Sequence, residues 1–363
     1  MTLYIFNPEH DIALASGLSN FTAPHAARQL RHDLGFLPAL WADDDGVVLV
    51  DDEERARRSW QKLRARLAAL NLAGSLKASK WEFEAFKVGV SRHETQGLQP
   101  WGWDSALCAA LKRRGVADRL LPSAEQLERF RLLSHRRTAA RLLPKLQQEG
   151  TTGEAFECTT DDEVAALLGR YGRIVLKAPW SSSGRGLRFA DVATTDDEKA
   201  ANDRRWLRNV IARQGSVMVE PYYNKVKDFG MEFEADGQGG ISYCGLSLFH
   251  TVNGAYEGNV LASERSKQNE LSRYLSVGLL ETVKQSIISS LSLGDYRGPF
   301  GVDMMIVASA NGNGFLLHPC VEVNLRRTMG HVALAISPTD DDVRRVMRIV
   351  YANENYQLII QRL

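Results

Sequence analysis

Cysteine is scarce in this 363-residue chain: Cys108, Cys158, Cys244 and Cys320 stand far apart, with no CxxC pair. Such spacing suits reduced thiols rather than a disulfide framework or a thiolate metal cluster. An excess of one charge is missing too. With 45 basic against 44 acidic residues, global electrostatics give no footprint for nucleic acid or a membrane surface. No apolar run approaches the length of a membrane span, and the start, MTLYIFNPEHDIALA, has neither a basic flank nor a long apolar core. The expected setting is the cytoplasm. Also absent are a GxxxxGK(S/T) phosphate loop, an HExxH zinc pattern and a convincing Ser-His-Asp or Cys-His arrangement, since the adjacency of His10 and Asp11 says little about triad geometry. The chain has no internal repeat or low-complexity segment. Its length suffices for two or three domains with a sizeable core.

What is present concentrates between Gly298 and His331. Two apolar runs, Val302–Val307 and Phe315–Asn324, flank Asn311-Gly312-Asn313-Gly314, a strong hairpin signal because these residues tolerate the positive φ of tight turns. A turn centred on Gly312-Asn313 sets Asp303 opposite Glu322. Centring it on Asn311-Gly312 makes that pair diagonal but keeps both carboxylates on one face, with Asn324 beside them. Facing carboxylates repel across a sheet, and a divalent cation between them reverses that sign. Two carboxylates and a carboxamide oxygen are hard ligands of the kind Mg²⁺ takes. Arg326, Arg327 and His331 gather at the same end.

The first region, residues 1–122, opens with a buried strand, Leu3–Phe6, stopped by Asn7-Pro8. A helix around Pro24–Leu34 and a strand at Val47–Val50 follow. This rhythm predicts an α/β unit with a parallel sheet, whose loops hold ligands. Glu9, His10, Asp11, Ser19 and Asn20 are therefore candidate substrate contacts. The basic run Arg55–Arg66 reads as a solvated helix face with local acidic partners. The aromatics between Trp81 and Trp103 read as core.

After Leu121, capping boxes at Ser123–Gln126 and Thr160–Glu163 open helices. Between them Ser134 is expected to cap a second helix, which carries His135, Arg136 and Arg137 and ends before Pro144. The strand Arg173–Trp180 places Lys177 just before Ser181, Ser182, Ser183, Gly184, Arg185 and Gly186. Small residues let backbone N–H groups approach phosphate closely, and a lysine at the strand end adds a point charge. The strand Val217–Tyr223 follows, with Glu220 and Tyr222, and Asp228 precedes another. The backbone from Glu220 to Tyr222 is suited to an adenine edge, and Asp228 to a ribose hydroxyl. Glu232 and Glu234 read as the outer face of a half-exposed strand. The stretch Gly245–Lys267, read as a long polar loop, offers Arg265 and Lys267 as carboxylate-binding residues in one wall of an acceptor site.

In this order, Lys177 with its Ser/Gly loop, Glu220, Asp228, Asp303 and the E-x-N pair Glu322/Asn324 resemble the ATP-grasp superfamily over roughly Ser123 to His331. The resemblance implies an α/β and α+β protein: two α+β subdomains, residues 123–216 and 217–363, clasping ATP behind an N-terminal α/β domain, the last ending in a C-terminal helix. It implies ATP and one or two Mg²⁺ ions as cofactors, the ions on Asp303, Glu322 and Asn324. Lys177, Ser181–Gly186, Glu220, Tyr222 and Asp228 would meet the nucleotide. Arg136 or Arg137 would stand where the family often has a second lysine. Lys177, Arg326 and Arg327 would be the catalytic cations, and His10, Asp11, Arg265, Lys267 and His331 substrate contacts. The implied activity is ligation of a small-molecule or short-peptide carboxylate to an amine through an acylphosphate, with a small-molecule kinase or a non-catalytic nucleotide-binding protein as alternatives. Neither nucleic acid nor a membrane is expected as a partner. Oligomeric state is open, a homodimer being one option.

Overall fold

The computed structural model describes residues 1–72, 80–86, 94–181, 186–193, 197–252, 255–309, 311–312 and 314–362. The first unit contains strands β1 (Thr2–Ile5), β2 (Gly46–Val50), β3 (Trp81–Ala85) and β4 (Gly97–Pro100), paired in parallel in the order β3-β2-β1-β4. Helices α1 (His10–Ser16) and α2 (His25–Leu34) lie between β1 and β2, α3 (Glu53–Ala69) between β2 and β3, and α4 (Ser105–Arg114) follows β4. In α3 the apolar stripe Trp60, Leu63 and Leu67 is buried while Arg57, Arg58 and Arg64 are exposed, so the basic run is an outer face. Trp101 packs edge-to-face on Phe6 at 5.0 Å, and Trp81 on Trp60 at 5.3 Å, which makes these aromatics core. The chain ends of β1 and β4 lie side by side where the strand order reverses, the position at which open parallel sheets present ligands.

Helices α5 (Ala124–Leu133) and α6 (Arg137–Leu146) lead into a second unit of β5 (Phe156–Cys158), α7 (Asp161–Tyr171), β6 (Arg173–Lys177), β7 (Leu187–Asp191), α8 (Asp197–Gln214) and β8 (Val217–Pro221). Its strands form an antiparallel sheet in the order β5-β8-β6-β7. The third unit comprises β9 (Lys225–Asp236), β10 (Ile241–Val252), β11 (Ala255–Leu261), α9 (Glu264–Leu271), α10 (Val277–Ser290), β12 (Arg297–Ala308), β13 (Phe315–Asn324), α11 (Met329–Ala335), β14 (Arg345–Ala352) and β15 (Asn355–Arg362). Here the strands make one antiparallel sheet of seven, β13-β12-β9-β10-β11-β14-β15.

The boundaries differ from expectation in specific ways. Strand β8, assigned from sequence to the C-terminal subdomain, pairs with β5 and β6 in the smaller sheet. Helices α5 and α6 instead join the core of the larger sheet, with Phe130, Leu142 and Leu143 against Phe229, Val302 and Leu317. The expected cap Ser134 bonds back to Phe130 O at 2.8 Å, and α6 starts from Arg136 without a side-chain cap. Pro144 sits in the last turn of α6 rather than beyond it, where it removes a single intrahelical hydrogen bond. The stretch Gly245–Lys267 is not a long loop but much of β10, all of β11 and the start of α9.

The chain closes on a hairpin, not a helix. Asn353 and Glu354 join β14 to β15 at φ of 50° and 61°, the left-handed pair that a two-residue hairpin turn requires. That hairpin packs into the core of the first unit, Met347 and Ile360 sharing it with Tyr4, Phe6 and Leu34. Its outer edge is also covered: Arg66 donates to Ile360 O at 2.9 Å, and Tyr356 N–H to Asp33 at 2.7 Å.

Phe233 on β9 is fully buried and stacked on Phe300 of β12 with centroids 5.1 Å apart. Phe233→Ala is expected to lower unfolding free energy by about 3–5 kcal/mol in urea titrations. A loss below about 1 kcal/mol would show that this layer lies outside the cooperative core.

Candidate active site

A cleft of about 740 Å³ lies among the two antiparallel sheets and the chain ends of β1 and β4. Its floor is one face of the larger sheet. Register aligns Glu322, Asp303, Gly230 and Ser247 in one row across β13, β12, β9 and β10, and Asn324, Gly301 and Glu232 in the next. Residues in register on neighbouring strands share a face, so all of them look into the cleft.

The hairpin combines both sequence alternatives. Near its tip Ala308 pairs with Phe315, which centres the turn on Asn311-Gly312, yet Asp303 still stands opposite Glu322. A bulge between Asp303 and Met305 makes up the difference: one residue of β12, Met304, faces the segment 319–321 of β13. Pro319, which has no N–H to give the ladder, lies in that bulge on an edge strand, where proline is tolerated.

Burial, followed by the charges of Glu322 and Glu232, pushes the Asp303 carboxyl up to about 8. Burial also raises Glu322, with Arg136 opposing. Asn324 donates from Nδ2 to Asp303 Oδ2 at 2.9 Å and accepts from Arg326 on Oδ1 at 3.0 Å. This oxygen set fits a divalent cation such as Mg²⁺, because a cation would remove the repulsion that raises Asp303. Among the described residues no group of three or more His, Cys, Asp or Glu is placed to hold a metal ion by itself.

The small sheet supplies the opposite wall. Lys177 Nζ lies 2.6 Å from Glu220 Oε1, both buried, and Ser181 and Tyr222 line the cleft with them. Tyr222 N–H donates to Arg173 O at 3.0 Å, so that donor, expected to face an adenine edge, is engaged within the sheet. Val175, Leu187 and Phe189 give this end apolar surface. Asp228 is held by Lys225 at 2.6 Å and by the Thr251 hydroxyl. Gly186 O accepts from Ala178 N–H at 2.8 Å; Ser182, Ser183, Gly184 and Arg185 lie outside the described residues. The structure separates Arg136 from Arg137. Arg136 enters the cleft, bonded to Ala178 O at 3.0 Å, Ser181 O at 3.2 Å and Glu322 at 3.0 Å. Arg137 turns away to Glu157 at 2.9 Å, because consecutive residues at a helix start point in different directions.

Other expected contacts are divided as sharply. Arg326 reaches across from the end of β13 to Asp11, making paired hydrogen bonds of 2.9 and 2.8 Å, and both line the cleft. Arg327 does not: its guanidinium covers Trp41 at 4.4 Å, while its N–H donates to Trp101 O at 2.8 Å. His10 is buried 3.3 Å from Asp104, facing a void of about 10 Å³ shared with Asp11, Glu322 and Asn324. Glu9 pairs with Arg31 at 2.6 Å, and Ser19 and Asn20 are exposed away from the cleft. His331 lies beneath the floor, 2.9 Å from Glu232 and 3.2 Å from Phe233 O. Two expectations fail outright. Arg265 is 79% exposed with Asp341 at 3.7 Å, and Lys267 is buried with Nζ on Leu246 O at 2.9 Å. Burial pulls the Lys267 ammonium down to about 8, so the helix α9 presents neither cation to a substrate.

Sequence reasoning passed over several lining residues. Glu232 follows the strand alternation taken for a solvated face, yet it is buried on the cleft side. Thr328 and Gly330 carry no local signal; Ser247, Tyr256 and Asn259 belong to the stretch Gly245–Lys267 offered as an acceptor-site wall, although its cations do not reach the cleft.

For a carboxyl raised in the fold, the folded state binds the proton more tightly, so stability is present at low pH and lost as pH rises toward the folded value. The cation-free protein is therefore expected to melt at lower temperature as pH rises from about 5 to about 8. Asp303→Asn should remove much of that fall, and an unchanged slope in the variant would refute the assignment.

Neither a protein-family model nor a curated protein matches the sequence. Solved structures do. The biotin carboxylase domain of the 2-oxoglutarate carboxylase from Hydrogenobacter thermophilus, in complex with MgADP, ADP and bicarbonate, aligns at 13% identity over 96% of this chain and 74% of its own, with a TM-score of 0.51. N5-carboxyaminoimidazole synthetase from Staphylococcus aureus, complexed with ADP, aligns at 13% over 97% and 83%, TM-score 0.47. An ATP-grasp superfamily protein from Archaeoglobus fulgidus aligns at 12% over 100% and 99%, TM-score 0.48. Identity this low speaks for architecture and not for activity. A smaller and a larger antiparallel sheet closing on a cleft, behind a parallel α/β unit, are the ATP-grasp fold.

Proposed function

We propose that this protein is an ATP- and Mg²⁺-dependent ligase joining a carboxylate to an amine. The observation that carries the reading is the convergence, in one cleft, of the facing carboxylates Asp303 and Glu322 with the cations Lys177, Arg136 and Arg326. Phosphoryl transfer asks mainly for positioning and charge neutralisation, and these groups supply both. Asp303, Glu322 and Asn324 would hold Mg²⁺, which when bound neutralises phosphate charge. Lys177 and Arg136 would then grip phosphate oxygens, while Arg326, aimed by Asp11, would stand near the transferred group. Each cation already has a carboxylate partner, at 2.6 Å for Lys177, 3.0 Å for Arg136 and 2.8 Å for Arg326, so phosphate enters by exchanging partners rather than by meeting bare charge.

In the reaction a carboxylate oxygen attacks the γ-phosphorus as the bond to the ADP oxygen breaks. The amine nitrogen then attacks the acyl carbon, the C–O bond to phosphate breaks, and the nitrogen loses a proton. The fold neighbour from Hydrogenobacter thermophilus is in complex with MgADP, ADP and bicarbonate, so this architecture accommodates a nucleotide and a small carboxylate-like anion there.

A screen of amino acids and metabolite acids for stimulated ADP release, with Mg²⁺ and hydroxylamine as trapping nucleophile, tests this. Acyl hydroxamate is the expected product. Asp303→Asn or Lys177→Ala is expected to reduce the rate by about 100-fold or more. A stable phosphorylated product without hydroxamate would establish a kinase, and an absence of ADP release with any acid would leave a binding protein.

A further inference from the structure

The cleft changes character beyond Arg326. Phe6 and Trp101 form an apolar base there, and half-buried Leu30 of α2, Met329 of α11 and Ile349 of β14 close around them. Half-buried apolar side chains lining a concavity mark a place for an apolar group. Among the described residues no lysine or arginine of the cleft lining comes from these elements; its basic residues there are Arg136, Arg173, Lys177, Lys225 and Arg326.

Directly beside this wall the polar lining has one carboxylate, Glu232, among neutral hydroxyl and carboxamide groups. Glu232 is 2% exposed; its Oε2 accepts from the Thr328 hydroxyl at 2.8 Å and lies 2.9 Å from His331 Nδ1. The Tyr256 hydroxyl donates to Asn259, whose amide donates to Ser247 Oγ at 2.9 Å. Gly330 lets both groups pack against its backbone: a Cβ there would come within 1.8 Å of Glu232 Oε1 and 2.5 Å of Ser247 Oγ. Both oxygens therefore reach over a bare Cα, and consecutive residues tie the halves together, Thr328 and Gly330 on the acceptor side and Met329 on the apolar side.

We infer that this end of the cleft binds an ammonium group carried on a branched-aliphatic or aromatic substituent. The inference rests on the ligase reading only in naming that compound as the attacking amine, its ammonium first giving one proton to the Glu232 carboxylate so that the nitrogen lone pair is free. Glu232 faces the cleft with a carboxylate, which repels anions and gains most from a cation when buried. Ser247 and Asn259 add neutral acceptors, and the Phe6, Leu30 and Ile349 wall takes the substituent out of water. Nearness of the Glu232 subsite to Asp303, on the adjacent row of the same sheet face, puts the nitrogen on the metal side and the substituent toward α2.

Calorimetric titration of the full chain, saturated with Mg²⁺ and a non-hydrolysable ATP analogue, tests this with L-leucinamide, glycinamide and N-acetyl-L-leucinamide as probes. L-Leucinamide is expected to bind about 10-fold or more tighter than glycinamide, and the acetylated probe, which has no ammonium, not measurably. Glu232→Gln is expected to weaken L-leucinamide about 10-fold or more. Leu30→Asn, at the half-buried rim, should erase the preference over glycinamide and serves as the test if Glu232→Gln does not fold. Equal binding of the acetylated probe, no gain from the side chain, or no binding of any probe by protein that holds the nucleotide analogue would each overturn the inference, while leaving the ATP site intact. Amine selectivity in protein that fails to bind the analogue would uphold the inference and count against the ligase reading instead.

Discussion

Two carboxylates held opposite each other on neighbouring strands govern this structure. Asp303 and Glu322 are fixed by a ladder that also builds the floor of the cleft, so they cannot drift apart without breaking β12 from β13. Their mutual repulsion, strengthened by burial, has to be met by protonation, by cations of the protein or by a metal. The surroundings show the second solution: Arg136 reaches Glu322 from the start of α6, and Arg326 closes on Asn324. The first solution appears in the Asp303 carboxyl, pushed up to about 8. A metal would replace both, and the arginines would then be available to phosphate.

That arrangement ties the three units together. Asp11 comes from the loop side of the parallel sheet and clamps Arg326 across 315 positions of sequence. Arg327, the next residue, bonds through its backbone to Trp101 and lays its guanidinium on Trp41. Neighbouring arginines thus serve different ends, one in the cleft and one joining units. The C-terminal hairpin adds a third link by entering the core of the first unit. Leu30 of the first unit and Met329 and Ile349 of the third line the cleft together.

Much of this was legible locally. Capping boxes at Ser123 and Thr160, the parallel rhythm after Leu3–Phe6 and the hairpin pairing of Asp303 with Glu322 follow from short-range rules, and they formed as read. The failures have a common cause. Arg137, Arg265, Arg327 and Lys267 were chosen for charge near a motif, but the direction in which a side chain points depends on neighbours distant in sequence. Glu232 was passed over for the converse reason: alternation marks two faces of a strand without saying which one meets water. The C-terminal segment was misjudged because its alternation is read as strand only when the Asn353-Glu354 turn is recognised.

The sequence by itself determined the capping-box starts of α5 and α7, the first parallel strands and which three oxygen-bearing side chains share a face, because propensity, capping and strand period act over a few residues. Only the tertiary structure decided which cations enter the cleft, that β8 belongs to the small sheet, and that Glu232, Ser247 and Asn259 converge beside an apolar wall. Those outcomes depend on packing between segments tens to hundreds of residues apart, and no local pattern encodes the partner that burial supplies.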